Sequence, residues 1–202
     1  YSQVASNISP DNVIIRTVDI GGDKFAASEN ETELNPFLGW RGIRVSLDRP
    51  EMFKTQLRAI LRAAHLSTVG VMFPMISTID ELQRAKSLLE EAENELKSEG
   101  ILYGKPTEVG AMIEVPSAAL VSSQLAKEVD FFSVGTNDLV QYTLAIDRVD
   151  DQVNYLYNPM NSAVLTLIKM TIDAGLKNEI PVSLCGEMAG DPNYTKLLLH
   201  YL

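Results

Sequence analysis

Short apolar runs alternate along this chain with longer amphipathic stretches, and that alternation narrows the folds open to it more than any other feature. Asn12 to Ile20, carrying Val13, Ile14, Ile15 and Val18, is one such run. Ile43 to Leu47, Val69 to Met75, Glu108 to Val115, Phe131 to Val134 and Val182 to Leu184 are the others. They are rich in β-branched and aromatic residues and lack polar alternation, as strands buried on both faces do. Between them lie helical patterns with recognisable ends. Asp48 with Glu51 has capping-box spacing, Pro50 suits a first turn, and Phe53, Leu57, Ile60, Leu61 and Ala64 share one face of a helix running to His65. Thr78 with Glu81 opens a long amphipathic helix that turns Ile79, Leu82, Ala85, Leu89, Ala92 and Leu96 inward and stops at Gly100. Pro116 starts a helix through Leu120, Val121 and Leu125 to Lys127, and another opens after Gly135 through Leu139, Tyr142, Leu144 and Ile146. Asn161 caps a helix through Leu165, Ile168 and Ile172, with Gly175 near its end. Tyr1 to Asp11 reads as a polar approach ending in a turn, and Asp23 to Pro36 as an acidic surface excursion. Strands alternating with helices on this scale predict βαβ units around a parallel sheet.

Polar or reactive residues fall repeatedly just after the apolar runs: Arg16, Glu114, Asn137 with Asp138, and Cys185. A (β/α) barrel builds its site in this way, from the carboxyl ends of successive strands, whereas an open doubly wound sheet concentrates it at one switch point. The expected fold is therefore α/β, a (β/α)8 TIM-type barrel. A complete barrel takes about 250 residues, and this chain has 202 and begins without Met. The expectation is that it is truncated at both ends, one part of a barrel domain spanning 1–202 with the first and last strands outside it.

Composition excludes several classes of function. Acidic residues outnumber basic ones by 27 to 17, a formal net charge of −10, and no Lys/Arg cluster offers a footprint for nucleic acid. There is no apolar run of membrane-spanning length and no signal-peptide pattern, so membrane insertion is not expected. A single cysteine allows no internal disulfide and fits a reducing cytoplasm. The two histidines, His65 and His200, stand apart from any carboxylate or cysteine cluster in sequence, which argues against zinc.

The stretch from Phe131 to Arg148 carries the densest chemistry. A buried strand ends at Gly-Thr-Asn-Asp where a helix begins, and free backbone N–H groups there can meet an anion. Asp138 can hold a cation, and Arg148 can fork onto a carboxylate or phosphate. Asn137 and Asp138 can equally be helix caps and nothing more. Arg16 ends an apolar strand, where a cation needs an anionic partner, either a ligand or an internal pair with Asp19 or Asp23. Arg41 can be a surface cation stacked on Trp40, while Arg44 reads as structural. Glu114 can face solvent at a strand end; paired with Asp138 on the next strand it offers hard oxygen ligands to a cation. Glu187 reads as a cap or salt-bridge residue, His65 as a helix-end dipole partner, and the methionines as core filler. For Cys185, composition alone favours inert packing, but its place after the Val182 to Leu184 run favours a role.

The motifs Arg-Thr-Val-Asp-Ile-Gly-Gly-Asp-Lys, Asn-Pro-Phe-Leu-Gly-Trp-Arg, Met-Ile-Glu-Val-Pro, Val-Asp-Phe-Phe-Ser-Val-Gly-Thr-Asn-Asp-Leu, Ala-Ile-Asp-Arg and Cys-Gly-Glu-Met-Ala-Gly-Asp follow one another between Arg16 and Asp191. In this order they resemble the phosphoenolpyruvate-binding barrel of enzyme I of the bacterial sugar phosphotransferase system, a member of the superfamily that includes pyruvate phosphate dikinase and phosphoenolpyruvate synthase. The resemblance implies a transferase that binds phosphoenolpyruvate and Mg²⁺ and passes the phosphoryl group to a histidine on a separate N-terminal domain, releasing pyruvate. It implies that Arg16 and Arg41 clamp the phosphate with Lys24 nearby, and that Glu114 and Asp138 ligate Mg²⁺. The Asn137 backbone N–H and Arg148 would hold the carboxylate, and Cys185 would protonate the enolate carbon. It further implies a cytoplasmic homodimer that works with the histidine-containing phosphocarrier protein. The alternatives are the equivalent barrel of a dikinase or synthase, and a module that senses phosphoenolpyruvate without turning it over.

Overall fold

In the computed structural model the described residues are 1–20 and 35–201, with side chains as far as Lys196. They form an α/β chain. Its strands β1 (Val13–Arg16), β2 (Val69–Phe73), β3 (Val109–Ile113), β4 (Phe131–Gly135) and β5 (Val182–Cys185) hydrogen-bond in sequence order in a five-stranded sheet. β1 pairs with β2 and β4 with β5, both parallel, placing Ile15 opposite Val71 and Gly135 opposite Cys185. Parallel neighbours need crossover connections; α1 (Ser2–Ile8) precedes β1, the connections contain α2 (Ile43–Asp48), α3 (Pro50–Ala64), α4 (Ile79–Ser98), α5 (Pro116–Leu120), α6 (Ser122–Leu125), α7 (Thr136–Leu144) and α8 (Ser162–Asn178), and α9 (Glu187–Gly190) and α10 (Pro192–Tyr201) follow β5. The chain divides into two compact units, Tyr1–Met75 with Asp80–Gly110, and Ile76–Ile79 with Ala111–Leu202.

In the first unit β2 is buried along its whole length, as an unalternating apolar run requires. Helix α3 buries Phe53, Leu57, Ile60 and Leu61, and the Phe53 ring meets Phe73 of β2 edge-on at 6.0 Å. Such an aromatic pair contributes about 0.5–1.5 kcal/mol beyond its area. Helix α4 buries Leu82, Ala85, Leu89, Ala92 and Leu96 of the stripe its periodicity predicts, together with Leu88, while Ile79 in its first turn is only partly buried. Ion pairs tie α3 to α4: Lys54 to Glu95 and Arg58 to Glu99, each at 2.6 Å. Hydrogen bonds from Lys54 and Arg58 hold the Glu95 and Glu99 carboxyls below the usual carboxylate range. Because the folded values are depressed, this contribution is present at neutral pH and is lost as the pH falls through that range.

Three local expectations are corrected here. Ile43 to Leu47 is helical, not a strand: Ile43, Val45 and Ser46 are the buried residues of α2, and the Gly42 carbonyl accepts the Ser46 N–H at 3.2 Å. Short apolar runs carry too little periodicity to separate helix from strand. The Asp48–Glu51 capping box does not form, because Asp48 closes α2 and Arg49 takes the cap position of α3. The approach at Tyr1 to Asp11 holds helix α1, which buries only Ala5 and so shows no stripe to read.

In the second unit β4 is buried throughout, and α8 packs Val164, Leu167, Ile168, Thr171 and Ile172 inward. The helix expected from Pro116 to Lys127 is broken at Val121 into α5 and α6, leaving Leu120 63% exposed, while the buried Ser122 hydroxyl donates to the Met170 carbonyl at 3.4 Å. Met72, Met75, Met112 and Met188 are core residues, but Met160 is exposed. Among the described residues no helix is long and apolar enough to cross a membrane.

Asn161 caps α8 as its sequence position predicts, its side-chain oxygen accepting the Ala163 N–H at 2.9 Å. Asn161→Ala should lower stability by about 1 kcal/mol, and Asn161→Asp should keep most of it. Thermal or urea denaturation of the three proteins checks both outcomes.

Candidate functional site

The second unit assembles its polar residues at the carboxyl ends of its strands. Glu114 follows β3 directly and is 2% exposed. It lies against Gly135, the last residue of β4: a Cβ there would stand 2.6 Å from Glu114 Oε2. Asp138 stands in the first turn of α7, also buried, and carboxylate oxygens of Glu114 and Asp138 come within 4.8 Å of one another. Two carboxylates held this close away from water repel. A hard cation with oxygen ligands is the group that relieves the repulsion, so this donor set fits a divalent ion such as Mg²⁺.

Gly135 is the cap residue of α7, and no side chain caps that helix. The reading of Asn137 and Asp138 as simple caps therefore fails. The Asn137 side chain instead accepts the Glu187 N–H at 2.9 Å, fastening α7 to the start of α9. The first-turn N–H groups of α7 have no acceptor within their own helix, as at any helix start.

Cys185 ends β5, partly exposed. Its thiol donates to the Val134 carbonyl at 3.4 Å and its sulfur accepts from the Ser133 hydroxyl at 3.5 Å, both on β4. Its own carbonyl accepts from Thr136 Oγ1 at 2.7 Å. The next residue, Gly186, adopts φ of 93°, and a Cβ on it would lie 2.5 Å from Thr136 Oγ1 and 2.9 Å from Asn137 Oδ1. The sharp turn after Cys185 and the closeness of α7 both require glycine here.

Arg148 follows α7 in the same unit. Gln141, 2% exposed, holds the connecting loop twice: its carbonyl accepts the Ile146 N–H and its side-chain oxygen accepts the Arg148 N–H, each at 3.0 Å. Tyr157 belongs to the same neighbourhood. Burial pushes its hydroxyl above the ordinary tyrosine value, Glu187 and Asp138 add to the rise, and Arg148 opposes it. Thr136, Gln141 and Tyr157 escaped the sequence reading. Gln141 lies three residues after Asp138, hence on the same helix face, which is the one signal that marks it.

In the first unit the focus is Asp19, whose side chain is only 4% exposed. Arg41 Nε and Nη2 donate to its two oxygens at 3.2 and 2.9 Å, a bidentate pair, and Arg16 Nη1 lies 3.6 Å away. Arg16 is half-exposed rather than buried, and of the two expected kinds of partner the internal pair with Asp19 is present. Arg41 sits over Phe37 at 5.7 Å, and Arg49 covers the Trp40 indole at 4.6 Å. Arg44 donates to the Leu38 and Gly39 carbonyls, a structural role. Lys24 lies outside the described residues.

Known proteins share this chain's sequence and fold. Residues 1–201 match the family described as PEP-utilising enzyme, PEP-binding domain. The phosphoenolpyruvate-protein phosphotransferase of Mycoplasma capricolum is 50% identical over 98% of this chain and 35% of its own length, and that of Haemophilus influenzae is 50% identical with the same coverage. The chain thus spans about a third of the length of these relatives. An HpcH/HpaI aldolase/citrate lyase family protein from Burkholderia cenocepacia resembles the fold, with a TM-score of 0.51 at 18% identity over 73% of this chain and 60% of that one. The chain belongs to the family of PEP-binding domains of PEP-utilising enzymes.

Proposed function

We propose that this chain is the phosphoenolpyruvate-binding part of a phosphoenolpyruvate-protein phosphotransferase, one portion of a (β/α)8 TIM-type barrel whose first and last strands lie outside 1–202. The observation that carries the reading is the buried Glu114–Asp138 carboxylate pair, in the same unit as Arg148 and Cys185. Half of all positions are shared with relatives that bear this name, which supports the same conclusion.

Each residue then has a chemical task. Glu114 and Asp138 are the ligands for Mg²⁺, which when bound would neutralise negative charge on substrate oxygens. Arg148 and the Asn137 backbone N–H orient the substrate carboxylate. Arg16 and Arg41, together with Lys24, are assigned to the phosphate. An incoming phosphate dianion competes with Asp19 for both guanidinium groups, since planar bidentate donors suit either anion. Phosphoryl transfer gains mainly from positioning and charge neutralisation, so such a residue set suits it. When the phosphorus–oxygen bond to the enol breaks, the phosphoryl group goes to a histidine on another domain. The enolate left behind takes a proton on its methylene carbon from Cys185 Sγ, giving pyruvate and a thiolate. The Ser133 hydroxyl that already donates to the sulfur stays favourable once the sulfur is negative. The rest of the assignment concerns the longer parent: an N-terminal phosphohistidine domain, onward transfer to the histidine-containing phosphocarrier protein, a homodimer and a cytoplasmic location.

The dikinase or synthase reading differs in its use of ATP. A full-length parent that labels its own histidine from phosphoenolpyruvate, with Mg²⁺ and without ATP or AMP, supports the phosphotransferase; a requirement for adenine nucleotide overturns it. A sensing module would bind phosphoenolpyruvate and release no pyruvate.

Glu114→Ala and Asp138→Ala should each abolish Mg²⁺-dependent binding of phosphoenolpyruvate to this chain and leave its circular dichroism unchanged. Arg16→Ala should weaken binding with or without the metal, by less than the roughly 2 kcal/mol of a well-buried phosphate contact because the Arg16 side chain is half-exposed. Titration calorimetry at both conditions separates these effects, and unchanged affinity in the Asp138 variant would move the metal elsewhere.

Cys185→Ala in the parent should keep phosphoenolpyruvate binding but slow both pyruvate formation and exchange of pyruvate methyl protons with deuterated water. Cys185→Ser, a much weaker acid, should not restore them. Exchange at the parental rate in the alanine variant would make Cys185 a packing residue.

A further inference from the structure

Three donor atoms in the second unit, Gln141 Nε2, Arg148 Nε and the Tyr157 hydroxyl, are buried with no hydrogen-bond partner among the described residues. Native proteins seldom leave such groups unpaired, and an unpaired cluster at a site points to an acceptor that arrives with a ligand. Gln141 is already used to fix the Arg148 backbone. Arg148 and Tyr157 interact electrostatically, and so do Tyr157 and Asp138 of the proposed metal pair.

Resting on the phosphoenolpyruvate reading, we infer that Tyr157 is a further substrate-binding residue, its hydroxyl donating to the same carboxylate that Arg148 holds. Its neighbour selects this anion over the phosphate: Tyr157 interacts with Arg148, the residue assigned to the carboxylate. A phenol needs no compensating charge to donate to a carboxylate, and a donor to a charged acceptor is stronger than a neutral pair. The same burial that raises the hydroxyl keeps its proton in place.

The test compares Tyr157→Phe with the parent sequence in this chain, using three probes in Mg²⁺ buffer: phosphoenolpyruvate, oxalate as a carboxylate without phosphate, and inorganic phosphate. Phenylalanine removes one oxygen from the side chain, and the melting temperature verifies that the fold is kept. The expected result is a loss of about tenfold or more in affinity for phosphoenolpyruvate and for oxalate, with phosphate binding unchanged. Equal oxalate affinity in the two proteins overturns the inference, as does a loss confined to phosphate, which would place the hydroxyl on the other anion. Should the parent sequence bind oxalate but not phosphoenolpyruvate, the proposed function fails while the oxalate comparison still decides the role of Tyr157. If neither carboxylate binds, both are overturned.

Discussion

At Gly135 and Gly186 the packing is so close that neither position has room for a Cβ, and the second unit's site depends on that closeness. The Glu114 carboxylate occupies the space a side chain on Gly135 would take. Thr136 and Asn137 occupy the space a side chain on Gly186 would take. The parallel register sets Gly135 opposite Cys185, so one hydrogen-bonded strand pair brings the start of α7 and the thiol together. Any larger residue at either glycine would force Glu114, or Thr136 and Asn137, to shift, since overpacking at such distances displaces neighbours.

The first unit solves a different problem. On the proposed reading, an arginine that takes the phosphate must be held in place without being neutralised for good. Asp19 does this by a bidentate, charge-assisted contact to Arg41 and a longer one to Arg16. The guanidinium of Arg41 is thereby oriented, and less side-chain freedom would remain to be lost on binding the proposed phosphate. The Phe37 ring under Arg41 adds a second restraint that leaves its charge intact.

What the sequence revealed and what it hid follow from the length scale of each signal. The long stripes of α3 and α4, the Asn161 cap and the unalternating run Phe131 to Val134 stand over enough residues to be read directly. Ile43 to Leu47 is too short, and the helix start at Gly42 outweighs its β-branched composition. The strand-end places of the candidate residues were legible: Glu114, Asn137, Asp138 and Cys185 each stand at or just past the end of a strand. What could not be read is how side chains are used. Asn137 reaches across to Glu187, Arg49 covers the indole, and Tyr157 lies in a loop where no periodicity marks it.

The indole has one more consequence. Trp40 is the only tryptophan in the chain, stands next to Arg41, and has a guanidinium 4.6 Å from its ring centre. Tryptophan emission responds to a cation over the ring and to local polarity, so the tryptophan fluorescence of this chain reports on the contact between Arg49 and the indole. The segment therefore carries its own optical reporter: displacement of Arg49 from the ring can be followed in real time, in the unmodified chain, without a label.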